Sequence, residues 1–251
     1  MVSCVVPSYE NLHLLSRCLI SILTQEGVDL EVIVSDDSRS SAIADLVAFL
    51  QPRFPALRYT AGARSGNPVD NWNMGLDAAR GRYVVVVHHD EFFLHAGVLA
   101  QAVSMLETER YDVAIGRVAV IGPSRHGWIP RPLLRATPLW MMFVVNTIGP
   151  TACVIYRRSM SMRFDPKLIQ LVDVEFYNRL LRAAERVRFS AVLSIGSLVH
   201  SERISARIDP YRLQLSEGIA ISRDDSLDLS PLARQILRLA LRVHALFRGV
   251  S

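Results

Sequence analysis

Lysine is nearly missing from this chain: Lys167 stands alone among 28 basic residues, and the others are arginines. The sequence has no lysine-rich tail, no zinc-finger spacing and no RNP-like aromatic motif. The formal net charge of +4 therefore does not read as nucleic-acid binding. Phosphates or an anionic membrane surface suit such a balance better. Cysteine is scarce as well. Cys4, Cys18 and Cys153 are odd in number and far apart, with no CxxC or CxxH pairing. That excludes a disulfide framework and reads as reduced core thiols in a cytoplasmic protein. Glycine-rich phosphate loops are absent: neither GxGxxG nor GxxxxGK[ST] occurs, which excludes a Rossmann dinucleotide site and a P-loop. No apolar run reaches the roughly 18 residues of a spanning helix. The longest candidate, 139–148, is short and contains Asn146. Met1 to Pro7 has no charged n-region, so no secretory signal is expected.

Half of the 251 residues are hydrophobic, enough to bury a full α/β core. The first hundred residues alternate strand and helix. Residues 3–6 form a short β run, and Leu12, Leu15, Leu19, Ile22 and Leu23 recur behind it at helical spacing. Further strands are expected at 30–35, 57–60 and 83–87, with helices over 43–50 and 71–79. The run Tyr83 to Val87 has no polar face, which suits a buried central strand. This β-α-β-α-β-α-β order implies a largely parallel sheet with helices on both faces. Later come a helix over 98–106, a long strand over 113–121 and a Pro-, Arg- and Gly-rich loop over 122–138. A strand over 153–156, a helix over 171–184 and a strand and turn over 188–200 follow. One domain over 1–208 with a helical extension over 209–251 is the expected organisation.

In an open parallel sheet, ligands sit beyond the carboxyl ends of the strands. Here strand one ends in Pro7-Ser8-Tyr9-Glu10, strand two in Ser35-Asp36-Asp37-Ser38 and strand four in His88-His89-Asp90-Glu91. Each cluster alone could be an ordinary polar strand end or a helix cap. Together, the three are expected to converge on one crevice. A diphosphate bound there without a glycine-rich helix terminus needs another counter-charge, and a metal is the natural one.

These motifs resemble those of the family 2 inverting glycosyltransferases, which have the GT-A fold. The resemblance rests on Val5-Val6-Pro7-Ser8-Tyr9, Glu31 to Ser38, Asn71-Trp72-Asn73-Met74-Gly75 with Gly81-Arg82-Tyr83, and Val87 to Glu91. Asn146 to Pro150, Val172 to Leu180 and Val199 to Ser205 extend it over roughly residues 2 to 206. It implies a Rossmann-like, mostly parallel sheet flanked by helices, and transfer of one sugar with inversion from a UDP- or dTDP-type donor. Tyr9 is expected to flank the base, with Pro7 and Ser8 shaping the turn. Asp36, with Asp37 beside it, would accept the base imide N–H. Asp90 matches the last acid of the DXD motif, which binds Mg2+ or Mn2+ bridging the phosphates. His200 is expected at the metal or diphosphate. Asn71, His89 and Arg203 complete the donor side, Arg203 and Arg207 against leaving-group charge. Asp173, opening a helix, is the expected general base. Glu175, on another face, is expected to be structural or near the acceptor.

The first DXD acid is replaced by His88. A zinc site at His88, His89 and Asp90 would need a bend, because adjacent strand residues point to opposite faces. Three readings therefore stand beside one another: the transferase, a nucleotide-sugar-binding pseudoenzyme and a metal-dependent nucleotidyltransferase. Nucleotidyltransferases usually carry a glycine- and arginine-rich first loop, which Pro7-Ser8-Tyr9-Glu10 is not. The absence of a Gln-x-x-Arg-Trp motif favours single additions, to a surface polysaccharide precursor or a lipid-linked glycan. The last helix starts at Ser230-Pro231. It carries one stripe of Leu232, Ile236, Leu239, Val243 and Leu246, and another of Arg234, Arg238 and Arg242. It can lie on the inner, anionic membrane leaflet, or pack on the protein with its arginines in water.

Overall fold

The computed structural model describes residues 1–62, 64–122, 125–128, 138–200, 209–224 and 229–249. The chain forms two compact units, the first made of 1–129, 148–164 and 183–199, the second of 130–147, 165–182 and 200–251.

The first unit holds the sheet. Strands β1 (Val2–Ser8), β2 (Leu30–Asp36), β3 (Leu57–Ala61) and β4 (Tyr83–Val86) are linked through α1 (Leu12–Leu23), α2 (Ala42–Leu50) and α3 (Pro68–Ala78). They pair in parallel, as the alternation of elements implies. Beyond β4 the sheet becomes mixed. β5 (Glu91–Phe93), α4 (Val98–Glu107), β6 (Val113–Gly122), β7 (Arg125–Trp128), β8 (Val154–Arg157) and β9 (Val187–Leu198) complete the unit. The strand order is β3-β2-β1-β4-β8-β6-β9-β5, with β7 paired to β6. β8 runs antiparallel to both β4 and β6, whereas β9 runs parallel to β6. β4 is central and wholly buried, in line with its unbroken apolar run. The expected loop over 122–138 contains β7, while 123–124 and 129–137 lie outside the described residues.

Two residues explain how the parallel half closes. Pro7 has no N–H to offer, yet it sits in a strand with neighbours on both sides. It lies past the last β1–β4 pair, Val5 with Val86, and is matched only to Ser35 on β2. Gly75 lets α3 lie flush on the sheet: a Cβ there would meet Val5 Cγ1 at 2.4 Å.

The second unit is helical among its described residues. It contains α5 (Val172–Ala183), α6 (Pro210–Ile221), α7 (Pro231–Phe247) and a 3-10 turn at Leu139–Phe143. Ser230 caps α7 by accepting from Ala233 N at 3.2 Å. The packing of α7 differs from one of its two expected fates, docking on the protein with the arginines in water. The buried residues are Leu237, Leu241 and Ala245, whereas Leu232, Ile236, Leu239, Val243 and Leu246 are all exposed. Arg234 and Arg238 do not point into water. Arg234 donates to the carbonyls of Ser222 at 3.0 Å and Asp224 at 2.9 Å, and Arg238 to Ser222 Oγ at 2.8 Å. The sequence stripe misleads because guanidinium groups here satisfy the open carbonyls ending α6, a favourable place for positive charge. Gly218 permits the close approach of α6, since a Cβ there would meet Leu241 Cδ1 at 2.6 Å.

Candidate active site

The ends of β1 and β2 are laced together by side chains. Ser8 pairs with Asp36 in register, and Asp37 N donates to Ser8 O at 3.1 Å. Asn71, on α3, is buried. Its Nδ2 donates to Ser35 O at 2.9 Å and to Ser8 O at 3.3 Å, and its Oδ1 accepts from Ser35 Oγ. Its side chain thus braces both strand ends from within. Glu10, at φ +52°, ties the two following loops. Its N–H donates to Ser38 Oγ at 2.7 Å, and its carboxylate accepts from Arg39 N at 2.6 Å and Ser40 Oγ at 2.9 Å. The Arg39 N–H, and then the Ser40 hydroxyl, hold the Glu10 carboxyl below its ordinary value.

Asp36 is 3% exposed, and its carboxylate is fixed at both oxygens. Oδ1 accepts from Ser38 N at 2.9 Å and Oδ2 from Tyr59 OH at 3.0 Å. Burial, with the Asp36 hydrogen bond behind it, raises the Tyr59 phenol above its ordinary value. A carboxylate has about four acceptor sites, so Asp36 keeps capacity for a ligand N–H. Tyr9 stands beside this end of the sheet with half its surface open, at 48%. Asp37 accepts from Arg64 N at 2.7 Å and thereby holds the turn after β3. That turn needs Gly62, where a Cβ would lie 2.4 Å from Asp37 Oδ1 and 2.7 Å from Asp36 O.

β4 lies beside β1 and continues the site. Val87 N donates to Val5 O at 2.8 Å, after which the strand gives way to a turn closed by Glu91 N donating to His88 O at 2.8 Å. His88, His89 and Asp90 are all half-buried there. Trp72 of α3 meets His88 edge-on, with ring centroids 4.5 Å apart. Glu91 is 4% exposed and anchors the turn, accepting from His88 N at 3.1 Å and Ala152 N at 3.2 Å. The bend that a zinc site would require does exist. Even so, among the described residues no three His, Cys, Asp or Glu side chains gather closely enough to hold a metal by themselves. One strand-end carboxylate suits Mg2+ or Mn2+, which take their remaining oxygens from phosphate and water, and not a closed zinc cage.

The other expected site residues belong to the second unit. Asp173 is half-buried in the first turn of α5, where Phe176 and Leu180 are buried. Glu175 is structural in its visible contacts, forming a two-pronged pair with Arg179 that includes a 2.8 Å bond. His200 is half-buried after β9. Arg203 and Arg207 lie outside the described residues.

The family model described as glycosyl transferase family 2 matches residues 3–170. The chain belongs to that family. This family 2 member is 29% identical over 204 residues to the uncharacterized protein MT1568 of Mycobacterium tuberculosis, covering 72% of this chain and 62% of that one. It is 38% identical over 90 residues to the succinoglycan biosynthesis protein ExoO of Rhizobium meliloti, covering 36% and 25%. It is 34% identical over 93 residues to a GalNAc(5)-diNAcBac-PP-undecaprenol beta-1,3-glucosyltransferase of Campylobacter jejuni, covering 37% and 30%. The family 2 chain thus matches between a quarter and about six-tenths of the length of these relatives. Among solved structures, S. aureus TarS 1-349 in complex with UDP-GlcNAc superposes with a TM-score of 0.72 at 18% identity, over 97% of this chain and 72% of TarS. Mannosyltransferase PcManGT from Pyrobaculum calidifontis, in complex with GDP-Man and Mn2+, gives 0.64 at 16%, over 100% and 75%. These likenesses establish the GT-A-type fold. No described helix of this family 2 chain is long and apolar enough to cross a membrane.

Tyr59 and Gly62 are absent from the set expected from sequence. Tyr59 pairs with Val34, so it shares a sheet face with Asp36 two residues on. That register is a tertiary fact, and only the strand pattern around Tyr59 was available to hint at it.

Proposed function

We propose that this glycosyltransferase moves one sugar from a nucleoside diphosphate sugar of the UDP or dTDP type to an acceptor hydroxyl, with inversion. The observation that carries the reading is Asp36, a buried carboxylate held at both oxygens and still able to accept from a pyrimidine imide N–H, next to the exposed ring of Tyr9. Pro7, Ser8, Asp37 and Asn71 would shape the base site there. Asp90 would hold Mg2+ or Mn2+ together with the diphosphate, with His200 as a further contact, and His89 and Arg203 are assigned to the donor side. Such an ion supplies positive charge against the diphosphate. Asp173 takes the acceptor hydroxyl proton as its oxygen bonds to the anomeric carbon. The bond from that carbon to the phosphate oxygen breaks, and its electron pair leaves with the nucleoside diphosphate.

Relatives named for succinoglycan biosynthesis and for an undecaprenol-linked glycan favour a polysaccharide precursor or lipid-linked acceptor. The exposed face of α7 favours work at a membrane surface. Leu232, Ile236, Leu239, Val243 and Leu246 recur on one side of the helix, and Phe247 beside them is 86% exposed. α7 carries no acidic residue, and exposed Arg242 flanks the stripe, which matches an anionic leaflet on the cytoplasmic side.

The test is a panel of nucleotide sugars screened by thermal shift with and without chelator, followed by product analysis. Glycosyl transfer, or slow release of free sugar with a nucleoside diphosphate, supports the proposal. Release of pyrophosphate would make the protein a nucleotidyltransferase. Donor binding without turnover would make it a pseudoenzyme, the alternative raised by His88 in the first DXD position. Asp173→Asn keeps the size of the side chain but is a far weaker base. Turnover is expected to fall by roughly two to four orders of magnitude with donor affinity retained.

A further inference from the structure

We infer that Glu217, on α6, is a positioning residue for Asp173; the inference rests on the assignment of Asp173 as the base. Glu217 lies 44 residues further along the chain and belongs to none of the motifs carrying the family resemblance. Glu217 is 9% exposed, and its carboxylate takes up three consecutive backbone N–H groups. Oε1 accepts from Ile169 N at 2.8 Å, Oε2 from Leu171 N at 2.8 Å, and the two share Gln170 N at 3.3 and 3.1 Å. An ionised carboxylate makes such bonds shorter and stronger than a neutral acceptor does.

The place where these bonds fall gives them their significance. Leu171 O accepts from Glu175 N at 2.9 Å, the hydrogen bond that opens α5. Leu171 is therefore the hinge on which the first turn of the helix stands, and Asp173 is the second residue of that turn. Fixing 169–171 fixes the entry of α5, and with it the direction in which Asp173 projects. Glu217 is itself held. Gly218 beside it packs under Leu241, and Gln214, three residues earlier, donates from Nε2 to Phe143 O at 2.9 Å and Val144 O at 2.7 Å. The chain of support runs from α7 through α6 to the base. On this account the C-terminal helices are part of the catalytic machinery.

Glu217→Gln preserves size but turns an amide N–H2 toward N–H groups that already need acceptors. Turnover is expected to fall roughly tenfold to a hundredfold, the scale of a misplaced catalytic group, with the donor KM within about twofold. Amide exchange at 169–171 should quicken while the sheet stays protected. Glu217→Asp, which keeps the charge but draws it back, should give an intermediate loss and remains informative if the glutamine variant fails to fold. The double variant Asp173→Asn with Glu217→Gln should be no slower than Asp173→Asn alone, because a lost base cannot be misplaced. Multiplying losses in the double variant would overturn the inference, as would normal turnover in Glu217→Gln despite faster exchange at 169–171. Near-normal turnover in Asp173→Asn would sink the base assignment itself, and the positioning role with it.

Discussion

The phenol of Tyr59 donates a 3.0 Å hydrogen bond to Oδ2 of Asp36, reaching from the outermost parallel strand to the end of its neighbour. With Ser38 N on the other oxygen, the carboxylate cannot swing away when a base approaches. Removing the phenol in Tyr59→Phe should weaken UDP binding by about 1–2 kcal/mol, a factor of about 5–30, without unfolding the chain. Asp36→Asn should weaken it further, since an amide can present its donor end to the imide. Calorimetric titration with UDP decides the point: unchanged affinity in both variants would place the base elsewhere.

Asp90 offers one carboxylate in a turn held by Glu91, and a divalent ion there must draw other ligands from the donor. Asp90→Ala should therefore abolish the part of donor binding that responds to Mg2+ or Mn2+ and leave the melting temperature nearly unchanged. Glu91→Gln should behave differently and lower stability, because the buried Glu91 carboxylate secures His88 N and Ala152 N. Donor affinity measured with and without chelator separates the two roles. An Asp90→Ala protein whose donor binding still depends on metal would remove Asp90 from the site.

The parallel half of the fold was legible because its signals are local. An apolar run such as Tyr83 to Val86 must be buried, and the helical spacing of Leu15, Leu19 and Ile22 marks one face of α1, all three now at 0–1% exposure. The motifs around Ser8, Asp36 and Asp90 likewise sit at strand ends, where α/β topology alone predicts a site. What escaped the sequence depends on long-range pairing. β5 is three residues long and exists because β9 is there to pair with it. α7 shows the limit most clearly. Its apolar periodicity is real, but the packed face is the narrower one of Leu237, Leu241 and Ala245, chosen by Gly218 and by carbonyls that attract arginine. Tyr59 and Glu217 act on residues 23 and about 46 positions away, a separation at which a single sequence carries no signal.

Glu31 should give the protein an acid-sensitive stability. Burial alone would raise its carboxyl, but Ser3 Oγ, Arg80 N at 2.8 Å and the Arg58 guanidinium outweigh this and hold it below the ordinary value. The folded pKa is thus lower than the unfolded one. The resulting stabilisation is complete above the unfolded carboxylate pKa and is lost as pH falls through the folded value. Glu31→Gln should be less stable at neutral pH by about 1–3 kcal/mol, and its stability should fall less steeply in acid. Denaturant melts from neutral pH into acid test this, and parallel acid limbs in the two proteins would refute it.

The exposed stripe of α7 sets the last expectation, because the face that packs and the face that would meet lipid are now distinct. Removing the whole helix would take Leu241 from over Gly218 and destabilise α6 whether or not a membrane is involved. A triple variant, Leu239→Ser with Leu246→Ser and Phe247→Ser, changes only exposed residues and leaves Leu237, Leu241 and Ala245 in place. The unaltered chain should sediment with vesicles containing anionic lipid. Added salt should weaken that binding, since charges interacting through water are screened over a Debye length of about 8 Å at physiological ionic strength. The variant should stay in the supernatant with an unchanged melting temperature and unchanged binding of UDP. If the unaltered chain ignores vesicles but self-associates in a way the variant abolishes, the stripe is an interface between two copies and the membrane reading fails. Binding to vesicles that the variant retains in full would also defeat it, by assigning the contact to another surface.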